Sequence, residues 1–475
     1  MILRIKLSNI AGIKDEMNLN FIATKTDKKN LNSVYITDDN IWINRLIGII
    51  AGNAHGKTTI LDAIASIGSF IELPLRKKNI PSLNDIEMKE YKEEYKEKVF
   101  KQMITDYTNI DLPAGNKLNE NKNSLIEIEM YIKNDDTLTS GYYLYSLEYD
   151  KNYKTDGIKK EKLAYKDKYK KKYLSIFEIT NSFESEIGYK IAYEKNYISE
   201  LEANNINVTD FENRIKYYKA FMKHYNKDSS IIFADNYVFP EFYVVEMIEN
   251  SNTLKELTQF VKLADDNIEE IFIDKNSDGK KKLVFKYNQF NLGYNEVSTA
   301  TQKLVSIAYS ILESNQNNSV FLIDEFDNSL NLEISKFLID IFASKSESMS
   351  QIIFTTNNPD ILENLRRDQI FLLLKRKYNI SAINFYNFID PATKKRVRKD
   401  FSFVKAYKKN VIENFPSNEL KERITSSFMT IYMKKEDWLL IFFFDVSAFF
   451  QSSYSLLILS KIFKYEALIF FVWQN

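Results

Sequence analysis

The 475-residue sequence predicts an α/β head built on a parallel sheet and split by a long insertion, and three observations predict it. The apolar run "WINRLIGIIAG" ends in a turn of small residues, as a buried parallel strand would. It gives way to "KTTILDAIASIGSFI", which places Ile60, Ile64 and Ile67 on one helical face. Far downstream, "TQKLVSIAYSILES", "SVFLIDEFD", "SQIIFTTNNPDILENL" and "QIFLLLKR" alternate helical and strand patterns, the order that surrounds a parallel sheet.

The elements follow in order. "ILRIKLSNI" and "MNLNFIA" have the two-residue period of half-buried strands, and the first carries no long apolar core of a leader segment. From about Glu72 to Phe285 the texture changes. "NDIEMKEYKEEYKEKVFKQM" is a charge-dense helix pattern, and its charges read as a solvated face. "NSLIEIEMYIK" and "SGYYLYSLEYD" alternate like antiparallel strands, and "EKLAYKDKYKKKYLSIFEI" extends that sheet. "SELEANNINVTDFENRIKYYKAFMKHYNK", with His224 as an ordinary helix residue, and "TLKELTQFVKLADDN" read as helices. There is no internal repeat and no long heptad run. The expected division is a head in two parts, residues 1–71 and 286–410, an α+β insertion over 72–285, and a tail over 411–475.

Composition removes several chemistries. Lysine plus arginine and aspartate plus glutamate are both 65, so bulk charge gives no reason to expect nucleic acid or an anionic membrane. Without cysteine there are no disulfides, thiolate nucleophiles or Cys-ligated zinc. His55 and His224 are the only histidines, which leaves no material for a Ser-His-Asp triad or an HExxH zinc site. In the tail, "WLLIFFFDVSAFFQSSYSLLIL" reaches the roughly 20 residues of a bilayer span. Asp445 in its middle costs about 2.5–3.5 kcal/mol on insertion, and Lys461, Lys464 and Glu466 interrupt the next apolar stretch. The segment is read as buried or partner-covered, so a cytoplasmic chain with no membrane partner is expected.

The chemistry concentrates in two places. Ala51-Gly52-Asn53-Ala54-His55-Gly56-Lys57-Thr58 has the spacing of a phosphate-binding loop, with Ala51 at the first glycine position. Such a loop needs small residues whose N–H groups turn inward, between a strand end and a helix N-terminus that face the phosphates. Lys57 would reach the β- and γ-phosphates of ATP or GTP, and the Thr58 hydroxyl would join a Mg²⁺ shell. Thr59 belongs to the same turn. His55 is either an additional donor or a solvent-facing loop residue. The second place is Asp324-Glu325, at the end of the apolar strand "SVFLID". Asp324 can hold magnesium through its waters, and Glu325 is placed to act as general base on an attacking water.

With those residues in view, the chain resembles the ABC-type ATPases of the abortive-infection and overcoming-lysogenization-defect group, relatives of chromosome-maintenance ATPase heads. The stretches that carry the resemblance are "AGNAHGKTTILDAI", "NEVSTATQKLVSIAYSIL", "FLIDEFDNSLNLEISKFLIDIF", "QIIFTTNNPDIL" and "LRRDQIFLL". They cover about the first seventy residues and the span from Leu254 to about Tyr407. The resemblance implies a P-loop NTPase head of ABC type in which two protomers sandwich ATP. It also implies that Ser298, in the signature segment "VSTATQ", contacts the phosphate held by the other protomer. Asp327 and Asn328 would lie at the dimer interface, and Asn357 stands where the family has a switch histidine. Ala300 replaces the signature glycine, which together with Asn357 predicts slow turnover.

The resemblance further implies antiphage defence with a separate effector nuclease as partner, and the insertion would then sense an invader signal, a phage trigger among the candidates, or hold the effector. No nuclease constellation follows Asp400, and Arg396, Arg398 and Lys399 form at most a small basic patch. The alternative is a DNA-maintenance ATPase whose ATP-bound dimer clamps duplex. A toxin acting alone on RNA would need a catalytic constellation that the sequence lacks. A transporter's ATPase subunit fits neither the long insertion nor the altered signature segment.

Overall fold

The parallel sheet is buried on both faces, and its strands show why the sequence read as continuous apolar runs. In the computed structural model, residues 1–27, 29–52, 54–78, 112–119, 122–134, 138–150, 158–180, 216–218, 220–221, 231–234, 241–251, 253–275, 281–313, 318–344, 348–389, 394, 396 and 402–408 are described. The charge-dense helix expected after residue 84, His224, Arg398, Lys399 and the tail over 411–475 lie outside them.

The described strands are β1 (Ile2–Ser8), β2 (Met17–Asn20), β3 (Val34–Ile36), β4 (Trp42–Asn44), β5 (Leu46–Ile50), β6 (Ser124–Ile132), β7 (Gly141–Tyr149), β8 (Ile158–Asp167) and β9 (Leu174–Thr180). They continue with β10 (Ile231–Ala234), β11 (Glu270–Lys275), β12 (Lys281–Lys286), β13 (Asn291–Gly293), β14 (Val320–Ile323), β15 (Gln351–Thr356), β16 (Ile370–Arg376) and β17 (Asn379–Asn384). The helices are α1 (Lys57–Lys78), α2 (Glu241–Ser251), α3 (Leu254–Val261), α4 (Thr299–Glu313), α5 (Leu332–Ala343) and α6 (Phe403–Lys408).

Two six-stranded sheets organise the head. The first runs β10-β14-β15-β5-β16-β17, parallel except for β17. The second, β2-β1-β6-β7-β8-β9, is antiparallel throughout. In the parallel sheet the two-residue period sorts side chains to opposite faces. Ile47, Ile49, Leu322, Ile353 and Phe371 join a core with Ile60, Leu61, Ile64 and Ile67 of α1 and with Ile5, Leu7, Ile126 and Ile128 of the antiparallel sheet. Leu46, Ile50, Phe321, Ile323 and Phe354 face the other way, among Leu304 and Ala308 of α4 and Leu338 and Phe342 of α5. A strand sandwiched between two apolar layers has no polar face, so its sequence alternates little.

Three expectations are refined. "WINRLIGII" is two strands, not one: β4 pairs antiparallel with β3, while β5 enters the parallel sheet. Arg45 sits at the junction, fully buried, with its guanidinium donating to Ser350 O and Asn32 O at 3.3 Å each and lying 4.8 Å from the Phe342 ring. Burial holds its pKa down to about 10. The strands expected within 124–180 are present, and they complete the sheet begun by β1 and β2, since β6 pairs with β1 along its length. The last crossover, "NNPDILENL", holds a 3₁₀ turn at Pro359–Leu362 in place of an α-helix.

Candidate nucleotide site

The C-terminal ends of three neighbouring parallel strands bring the predicted residues together. The strand order β14-β15-β5 places the loop after β5, Asn357 after β15 and Asp324-Glu325 after β14 side by side. Ligands bind in this crevice of open α/β sheets because loops diverge there and helix N-termini point into it. Helix α1 begins at Lys57 itself.

Within the loop, Ala54 and Gly56 have φ of 57° and 80°. The second value belongs to glycine, and a Cβ there would come within 2.9 Å of Ile380 Cδ1. Lys57 is buried, and its ammonium donates to Ala51 O and Gly52 O at 3.2 Å each and to Asn357 Oδ1 at 2.6 Å. Desolvation lowers its pKa, while Asp324, Glu325 and Asp327 oppose that shift. The Thr58 hydroxyl donates to Asp324 Oδ2 at 2.6 Å, so two hard oxygen donors stand together. This pair suits Mg²⁺, which takes few protein ligands and completes its octahedron with phosphate oxygens and water. Among the described residues no three acidic or histidine side chains converge into a self-sufficient metal cage.

Glu325 has a φ of 47°, a left-handed conformation unusual for a side chain of its size. Its surroundings hold it there. Its N–H donates to Thr355 Oγ1 at 2.8 Å, its carbonyl accepts from Lys303 Nζ at 2.7 Å, and its carboxylate accepts from Asn328 Nδ2 at 3.2 Å. Thr355 Oγ1 in turn donates to Asp324 Oδ1. One hydroxyl therefore orients both carboxylate residues. Lys303, on α4, is buried, and desolvation pulls its pKa down to about 8 against the pull of Asp327, Glu325 and Asp324.

His55, Thr59, Glu325 and Asn357 line one continuous cavity of about 950 Å³ with Lys57 and Thr58. Asn53 lies outside the described residues. Ser298 is not part of that cavity: it is exposed and caps α4, its Oγ accepting from Thr301 N at 3.1 Å. Arg396 is engaged locally, donating to Asn387 Oδ1 at 2.6 Å and lying 4.9 Å from the Tyr386 ring. Sequence reasoning passed over Thr355 and Lys303. The pair Thr355-Thr356 interrupting an apolar strand beside the Asp324-Glu325 strand was the available signal for the first. A lysine on the apolar face of α4 was the signal for the second.

No curated protein matches the chain. Among solved structures it is similar to an SMC head bound to the C-winged helix domain of ScpA, with 13% identity and a TM-score of 0.43 over 80% of this chain and 97% of that one. It is similar as well to the SMC head domain from Thermotoga maritima, with 11% identity and a TM-score of 0.35 over 81% and 98%. A third is the Smc head with an extended coiled coil bound to the C-terminal domain of ScpA derived from Pyrococcus furiosus, at 12% identity and 0.39 over 80% and 95%. A family model described as "AAA domain, putative AbiEii toxin, Type IV TA system" matches residues 46–363 of the 475, a span that holds the phosphate loop, Ser298, Asp324-Glu325 and Asn357. The chain belongs to this family of AAA-domain ATPases.

Proposed function

We propose that the chain is the ATP-binding, slowly hydrolysing regulatory subunit of an antiphage defence system, acting on a separate effector nuclease. The observation that carries this reading is the division of the site. Lys57, Thr58, Glu325 and Asn357 line one cavity, with Asp324 buried behind Thr58 and bonded to its hydroxyl, while Ser298 stands exposed outside it. A second copy presenting its own Ser298 would complete a composite site. Magnesium, when bound, supplies charge neutralisation at the phosphates; Thr58 and Asp324 would hold it. Lys57 binds the phosphates, and Glu325 takes the proton of the attacking water. Asn357 offers an amide where a histidine would offer a titratable ring, which keeps turnover slow. The two nucleotide states regulate an effector only insofar as it binds them with different affinity.

The test is a pull-down of Glu325→Gln with ATP from the native host, followed by mass spectrometry. A stoichiometric nuclease is the expected companion. DNA with no protein companion would instead support a DNA-clamping maintenance ATPase.

A further inference from the structure

The cavity extends beyond the phosphate loop, and the residues discussed so far leave part of its wall unexplained. Lys57, Thr58, Glu325 and Asn357 line one part; Leu118 and Tyr378 line another. These two side chains are 55% and 73% exposed. Single exposed apolar residues are ordinary on any surface, so exposure alone decides nothing. The way they are presented decides more.

Tyr378 sits in the two-residue turn between Arg376 and Asn379, which pair across the β16–β17 hairpin. Lys377 before it has a φ of 51°, the left-handed conformation such tight hairpins need. Hydrogen bonds to the turn after β1 and to the phosphate loop fix this tip. Asn379 Oδ1 accepts from Lys14 N at 2.9 Å, Ile380 N donates to Gly12 O at 3.0 Å, and Lys375 Nζ donates to Ala54 O at 3.2 Å in the phosphate loop. The segment that carries Leu118 is fixed as firmly. Ala11 N donates to Ala114 O at 2.7 Å, Asn116 Nδ2 donates to Ala11 O at 2.6 Å, and Asn116 Oδ1 accepts from Leu118 N at 2.8 Å. Both segments thus hang from the turn after β1, where Asn9 and Ala11 also have positive φ. The outcome is an aromatic and an aliphatic side chain, each on a hydrogen-bonded segment, in the wall of the cavity that Lys57 serves. Rigid presentation reduces the entropy lost when a flat ligand is captured.

We propose that Tyr378 and Leu118 form a nucleobase cleft, in which the base of the bound nucleoside triphosphate stacks on the Tyr378 ring while its phosphates run inward to Lys57. This rests on the nucleotide reading of the site. Among the described residues, Glu325 is the only carboxylate lining the cavity, where it stands with the phosphate-side residues, and the Asn116 amide is already engaged by Ala11 and Leu118. The Tyr378 ring offers the base a face to stack on, in a cavity that Lys117, Lys375 and Lys377 also line.

The experiment is calorimetric titration of the full chain in magnesium buffer with ATP and, separately, with inorganic triphosphate. Unaltered protein should bind ATP about tenfold or more tightly than triphosphate, the scale of one base–aromatic stack. Tyr378→Ala should lose about that factor for ATP and leave triphosphate unchanged, whereas Tyr378→Phe should keep ATP affinity to within about threefold. Equal affinity of the unaltered protein for both ligands would overturn the cleft, as would a Tyr378→Ala protein that loses both ligands equally or neither. If the unaltered protein bound neither ligand, the phosphate site itself would be refuted and the cleft with it.

Discussion

Thr355 uses one oxygen twice, donating to Asp324 and accepting from the Glu325 N–H. Valine there keeps the shape and removes both bonds, leaving a buried carboxylate oxygen and a strained backbone N–H without that partner. Each unsatisfied group costs about 1–3 kcal/mol. The expected outcome for Thr355→Val is ATP affinity within about threefold of normal and a hydrolysis rate lower by about tenfold or more, since about 1.4 kcal/mol is a factor of ten. Single-turnover kinetics separates the two quantities. Lys303 makes a different prediction. With its pKa at about 8 in the fold against an ordinary 10.5, the buried ammonium costs about 3 kcal/mol at neutral pH. Between these two values the unfolded chain keeps a proton that the folded chain has released, so this residue's contribution to stability rises with pH across that window. Urea unfolding at pH 7.5 and 9.5 should show the rise in the native chain relative to Lys303→Met. The variant itself should be the more stable protein at the lower pH and the poorer ATPase.

At the scale of elements, "LRRDQI" shows what a recognisable motif conceals. Arg366 and Asp368 are buried and pair at 2.8 Å. Arg366 also donates to Thr24 O at 2.8 Å and Lys29 O at 3.1 Å, while Asp368 Oδ2 accepts from Thr24 N at 2.6 Å. Gln369 adds a bond to Ser33 Oγ at 2.8 Å. The motif is a clamp that fastens the segment between β2 and β3 to the start of β16. Removing one member of a buried pair strands the other, at about 3–5 kcal/mol. Arg366→Ala should therefore lower the thermal midpoint markedly while leaving the nucleotide affinity of the folded fraction intact; an unchanged midpoint would refute the clamp. Apart from β10 and β17, the strands of both sheets were legible because burial on one or two faces writes a period, or its loss, into each segment. The pairing of β6 with β1 was not, because strands separated by more than a hundred residues share no local pattern. The break at Arg45 was hidden for a related reason, as its partners Asn32 and Ser350 come from opposite halves of the chain.

Across the whole head, the first fifty residues supply strands to both sheets, and one side chain ties the sheets together. Gln351 of the parallel sheet accepts from Ile2 N at 2.8 Å and donates to Ile2 O at 2.9 Å and Asn44 O at 2.8 Å. The proximity of Lys57, Thr58, Asp324 and Glu325 was readable from the sequence, since the first two open the helix that follows β5, the others follow β14, and the parallel order brings those strand ends together. Ser298, exposed at the head of α4, is not among the residues brought together there. If two heads share each nucleotide, Ser298→Arg should block ATP-dependent association while leaving binding to one head nearly unchanged. The most direct measurement is the solution mass of Glu325→Gln by light scattering, with and without magnesium and saturating ATP. The account predicts a doubling or higher multiple of the mass with ATP that Ser298→Arg abolishes. A mass that stays monomeric under saturating ATP would contradict it.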